Sequence, residues 1–166
     1  MIRKISAGLI FPVNLSPIKN GIICFDETGL ITEIITPVNG IDNIERLEYF
    51  DGVLIPAFIP ENVDDVNSRV RLSLALNIFL KEYVDFVRDT LKIIYNQQSM
   101  FSFHKLLEKF TFDRAIELNL EKSFGSLGIG KKPGIIQISN FNFKNMNIND
   151  VGNFKIISLP HFNFGI

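Results

Sequence analysis

Apolar residues come in short runs bounded by turn residues up to about position 58, then recur every three or four positions from Leu72 to Ile94, then return to short runs after Ser123. The first region reads as strands. Lys4–Phe11, Gly21–Phe25, Leu30–Ile35, Arg46–Phe50 and Val53–Phe58 are rich in Ile, Val and Phe. Asn20-Gly21 and Asp26-Glu27-Thr28-Gly29 supply residues that accept the positive φ of tight connections, so a small meander or hairpin-rich sheet is predicted.

In the second region Leu72, Leu76, Phe79, Tyr83, Val87, Leu91 and Ile94 form one stripe, while Lys81, Glu82, Asp85, Arg88, Asp89 and Lys92 fall elsewhere. That spacing predicts a long amphipathic helix over about 66–97. Leu74, Ala75 and Ile78 lie outside the stripe, so its N-terminal half is expected to have neighbours on two sides. Shorter helices are expected over Ser102–Phe110 and Phe112–Leu118, with Thr111 as the N-cap of the latter, Asp113 in its first turn and Asn119 as a left-handed C-cap. In the third region Gly134–Ser139 and Phe154–Leu159 read as strands. The Asn-rich stretch between them reads as a loop with Phe141, Phe143 and Met146 as buried anchors.

Composition narrows the classes. A chain of 166 residues, 46% hydrophobic and 21% charged, fits one domain with its own core: 1–60 as N-terminal strands, 65–119 as helical insert, 120–166 as C-terminal strands. A net charge of -1 leaves no basic excess for phosphates, so no nucleic-acid partner is expected. Cys24 stands alone, which excludes a disulfide framework or cysteine metal cluster and suits a reducing, cytoplasmic setting; its expected role is to fill space in a strand. No apolar run approaches the roughly 18–20 residues of a membrane span. Pro12, Asn14 and Pro17 cut short the run after Arg3 and Lys4 that would otherwise resemble an export signal, so no membrane association is expected.

One segment carries a more specific message. Asp51-Gly52-Val53-Leu54-Ile55-Pro56-Ala57-Phe58-Ile59-Pro60-Glu61-Asn62-Val63-Asp64 resembles the entry to the first barrel strand of the amidohydrolase superfamily, where a DG-x4-PG run leads to an HxH pair of metal ligands. Asn62 and Asp64 stand where the two histidines would fall. Ala7, Ile10-Phe11-Pro12, Pro17-Ile18 and Asn20-Gly21, followed by Ile22–Phe25, Asp26, Gly29 and Ile31–Ile34, resemble the N-terminal piece of chlorohydrolase- and aminofutalosine-deaminase-like members. Thr111-Phe112-Asp113-Arg114-Ala115-Ile116-Glu117-Leu118-Asn119-Leu120 resembles their closing helix, and Phe124-Gly125-Ser126-Leu127-Gly128-Ile129-Gly130-Lys131-Lys132-Pro133-Gly134 their last turn. The resemblance implies a composite β-sandwich made from both chain ends. It implies no catalytic machinery, because the stretch between Pro60 and Phe110 is far short of the roughly 200 residues that a (β/α)8 barrel needs.

The residues themselves point the same way. A hydrolytic metal site needs three or more preorganised ligands, mostly histidines when the metal is zinc. The chain has His104, read as a partly buried helix residue, and His161, read as a strand-end or tail residue. Glu61, Asn62, Asp64 and Asp65 are read as the solvated start of the long helix, with weak hard-cation binding as the alternative. Gly125 to Lys131 matches G-x4-G-K, but Lys132 replaces the Ser/Thr that holds magnesium and Pro133-Gly134 blocks the helix that should follow. Ser73 and Ser126 have no nucleophile elbow.

The expectation is therefore an α+β protein: a β-sandwich from both ends of the chain, with a helical insert in place of the barrel. No catalytic, cofactor-binding or metal residues are assigned. The expected function is a non-catalytic interaction module, forming a homodimer through the helical insert, with an intact amidohydrolase as the other candidate partner. Two alternatives stand beside it: a residual metal-dependent C–N hydrolase or deaminase built around Glu61, Asn62, Asp64 and His161, and a small-molecule binding protein with a pocket between helices and sheet.

Overall fold

Strand β1 (Arg3–Ile10) sits at the middle of the fold, and its neighbours explain the rest. The computed structural model describes residues 1–61 and 76–160, of which 76–79 are described as helix backbone only. On one side β1 pairs antiparallel with β3 (Ile22–Phe25), which pairs antiparallel with β4 (Ile31–Ile35); the short β2 (Ile18–Lys19) pairs with the end of β1. On its other side β1 pairs in parallel with β5 (Leu47–Pro56). Antiparallel β6 (Ile135–Ile138) and then β9 (Phe154–Ser158) complete a seven-stranded sheet. Strands from both chain ends thus form one sheet, joined where Val53 faces Ile138 and Pro56 faces Ile135.

The turn chemistry falls where the sequence places it. Asn20 has φ +50 and Gly29 φ +80, and the Asp26 carboxylate accepts from Thr28 N, Thr28 Oγ1 and Leu30 N at 2.7–3.0 Å. Two expectations are corrected. The N-terminal strands are not a meander throughout: β5 crosses over to lie parallel to β1, after a connection over 36–46 that includes Arg46 at φ +57. Arg46–Phe50 and Val53–Phe58 are not two strands but the single β5, because Gly52 (φ +84) forms a kink rather than a turn and the β1–β5 register shifts between Ala7 and Leu9 beside it.

Both faces of the sheet are covered. On one, Val53, Ile55, Ile136 and Ile138 pack against α1 (Leu76–Gln97) and α2 (Phe103–Phe110). Tyr83, Val87, Leu91 and Ile94 are buried there, so the described part of the apolar stripe does face the sheet; Leu72, Leu74 and Ala75 lie outside the described residues. The Tyr83 hydroxyl donates to Phe58 O at 2.9 Å and ties the helix to the segment leaving β5. The other face is a second cluster of Ile5, Ala7, Ile23, Phe25, Ile31 and Leu54, with Leu127 inserted from the loop before β6. Cys24 is buried in β3, as expected, and burial pushes its thiol pKa up.

Helix α3 (Phe112–Glu117) follows α2 directly. Thr111 does not cap it through its side chain; its Oγ1 donates back to Leu107 O at 2.7 Å, closing α2 instead. Asn119 does take the left-handed conformation, at φ +56. The Asn-rich stretch is a hairpin, β7 (Phe141–Asn142) with β8 (Asn147–Ile148), forming a second sheet. Phe141 is buried as expected, whereas Phe143 and Met146 are exposed: two-residue strands point only Phe141 and Ile148 into the core. The protein is a mixed α+β fold with a seven-stranded sheet, a small second sheet and, among the described residues, no closed barrel. No helix among them is long and apolar enough to cross a membrane.

Candidate functional site

Three segments distant in sequence meet around His104. Ser102 caps α2, its Oγ accepting from Lys105 N at 3.2 Å, and this sets His104 in the first turn of the helix. The imidazole Nε2 lies 2.9 Å from Val13 O. A carbonyl only accepts, so in the neutral ring Nε2 carries the proton and Nδ1 is left as an acceptor. Val13 has φ +82, a conformation that a β-branched residue adopts only under constraint. That constraint is visible: His104 holds its carbonyl, Leu127 N donates to Pro12 O at 3.1 Å, and Val13 itself is buried in the core.

The outcome is a cleft of about 290 Å³ lined by Phe11 and Pro17 after β1, by Ser102, Phe103 and His104, and by Asn145, Met146 and Asn147 at the hairpin tip. Its floor is aromatic. The Phe11 ring meets Phe103 edge-to-face at 5.2 Å and Phe141 at 5.9 Å, and Phe103 meets Phe141 at 5.1 Å. A second depression, of about 230 Å³, lies between the end of α1 and the outer face of α2, lined by Gln97, Phe101, Lys105, Leu106, Lys109 and Asp113. Phe101 is 45% exposed there, and Met100 next to it in sequence and Ile93 near the end of α1 are also exposed.

The glycine-rich turn resolves into a structural clasp. Lys131 Nζ folds back over the loop to Ser126 Oγ and to Glu121 O, both at 2.6 Å, and lies 5.7 Å from the centre of the Phe112 ring. Burial lowers the Lys131 pKa, opposed by the nearby Glu121 carboxylate. Ser126 is fully buried, so this Lys–Ser pair closes a turn rather than presenting a nucleophile to solvent. Gly125 fits because a Cβ there would fall 2.6 Å from Ala115 Cβ and 2.9 Å from Thr111 O, which brings the loop against α3.

The residues singled out for metal chemistry are not brought together among the described residues. Asn62, Asp64, Asp65, Ser73 and His161 lie outside them. Glu61 is exposed and pairs with Arg114 at 2.9 Å, and Arg114 also meets Glu117 at 2.7 Å. No group of three or more His, Cys, Asp or Glu among the described residues could hold a metal ion. His104 is part-buried on its helix, as expected, but its partnership with Val13 went unforeseen, since nothing in the sequence around Val13 announces a positive φ.

No family model matches the chain, and no curated protein matches it in sequence. Among solved structures, a match is the crystal structure of A. niger ochratoxinase, at 13% identity and a TM-score of 0.28, covering 57% of this chain and 24% of that one. The chain spans only a minor part of that structure, and a likeness this weak carries no argument about activity.

Proposed function

We propose that the protein is a non-catalytic interaction module, related to amidohydrolases by its terminal sequence pieces, that pairs with a second copy of itself through the helical insert. The observation behind this reading is the apolar surface at the end of α1. Ile93 is exposed in the last turns of α1, Met100 and Phe101 are exposed just after it, and Phe101 lines the depression together with Leu106. Exposed apolar side chains concentrated within nine residues at the end of one helix are the kind of feature that an interaction surface uses. A two-fold axis through the patch sets it against its own copy, the arrangement that satisfies most small assemblies. The aliphatic stems of Lys105 and Lys109 extend the contact while their ammonium groups remain in water.

Light scattering after size exclusion tests this directly. The full chain is expected to run as a dimer at micromolar concentration, and Ile93→Glu combined with Phe101→Glu is expected to give a folded monomer with unchanged circular dichroism. A wild-type monomer throughout the micromolar range overturns the proposal, as does a dimer indifferent to both substitutions.

A further inference from the structure

We propose that the cleft beside His104 is a binding site for a small flat molecule, one or two fused aromatic rings bearing an N–H or O–H donor. The inference is independent of self-association, which draws on a different set of α2 residues.

Size sets the first limit. About 290 Å³ falls just below the roughly 300–1,000 Å³ typical of small-molecule sites, which admits a ring system and excludes a dinucleotide. Shape and chemistry set the second. The buried rings of Phe11 and Phe103 are braced by Phe141 from behind, so the apolar wall is already in place and little ordering is needed on binding. Polar groups are few and differ in kind. In the neutral ring His104 donates its Nε2 proton to Val13 O, which fixes the tautomer and leaves Nδ1 as an acceptor. The complementary ligand group is therefore a donor. Asn145 and Asn147 also line the cleft, and Met146, exposed between them in sequence, supplies a flexible thioether that adapts to a ring face.

Backbone strain adds a separate argument. A valine held at φ +82 costs stability, and such cost collects where the surrounding structure has a use for the geometry. Here the strained residue holds the imidazole of a residue that lines the cleft. A satisfied core histidine would need no such arrangement.

The test is a nuclear magnetic resonance titration of the full-length ¹⁵N-labelled protein with indole, a bicycle with one N–H donor, and with benzothiophene, which has the same shape and no donor. Indole is expected to saturate with a dissociation constant on the order of 1 mM or tighter. Shift changes should be confined to Phe103, His104 and residues 145–147, and the His104 Nδ1 resonance should move. Benzothiophene is expected to bind about fivefold or more weakly, the worth of one hydrogen bond, without moving Nδ1. Met146→Trp, a substitution at the exposed hairpin tip outside the core, should fill the mouth and weaken indole about tenfold in a variant that circular dichroism shows to be folded. Non-saturating or scattered shifts overturn the site. Equal affinity for the two probes, or indifference to Met146→Trp in the folded variant, overturns the assignment of the donor or of the cleft.

Discussion

Gly52 is the residue on which the sheet depends most sharply. Its φ of +84 lets β5 kink beside Gly8, and a Cβ there would stand 1.9 Å from Ile138 O and 2.6 Å from Ser139 O. Both oxygens belong to backbone that cannot move without breaking the β5–β6 pairing. Gly52→Ala is therefore expected to cost about 3 kcal/mol or more, combining the unfavourable φ with the clash, and chemical denaturation of the variant would measure it. Asp26 and Asp150 make a prediction of another kind. The Thr28 hydroxyl, aided by the amides of Thr28 and Leu30, holds the Asp26 carboxyl below its usual 3.8. Asn140, with Asn153 and the Gly152 amide, does the same for Asp150. A carboxyl whose pKa is lower in the folded state than in the unfolded one contributes stability above its usual value and loses it as pH falls through the folded value. Stability should therefore decline from about pH 4 downward. Asp26→Asn, measured by thermal melts across that range, should flatten the decline in part.

At the scale of elements, Gln98 joins two of them. Its Nε2 donates to Ile148 O at 2.9 Å and its Oε1 accepts from Ile148 N at 3.0 Å, so one side chain stands in for a strand beside β8 at the foot of α1. Gln98→Ala should destabilise the protein by about 1–2 kcal/mol, leaving two part-buried backbone groups unpaired. Hydrogen exchange should quicken first at Ile148. No feature of the sequence betrays this contact, because a glutamine near a helix end reads as solvated. What was legible follows a rule of local physics: the stripe of Tyr83, Val87, Leu91 and Ile94, the Ser102 start of α2, the Asp26 turn and the left-handed Asn119 each depend on a few adjacent residues. The illegible parts depend on distant ones. Gly52 reads as a turn until Ile138 is placed beside it, Thr111 reads as a cap until Leu107 offers a better acceptor, and His104 acquires a role only through Val13. The cleft is non-local in the same way, with its three walls drawn from residues near 11, 103 and 146.

At the scale of the whole molecule, strands adjacent in space are remote along the chain. β5 ends at Pro56, and its antiparallel neighbour β6 begins at Ile135, so everything between is an excursion between two strands of one ladder. The side chains of Val53 and Ile55 are fully buried in a cluster that includes Tyr83, Val87, Leu91 and Ile94 of that excursion. A chain emerging from the ribosome can assemble β1, β3 and β4 at once, but the far edge of β5 must wait for β6. At ordinary translation rates of roughly 5–20 residues per second, that wait is on the order of ten seconds. For its duration a hydrophobic strand edge lies open to any passing polypeptide. Pulse-labelled hydrogen exchange during refolding should find the Val53 and Ile55 amides, which face β6, protected no sooner than Ile136 and Ile138, whereas earlier protection would mean that another segment shields the edge. The same vulnerability makes the nascent chain a natural client for chaperones until its C-terminal third has been made.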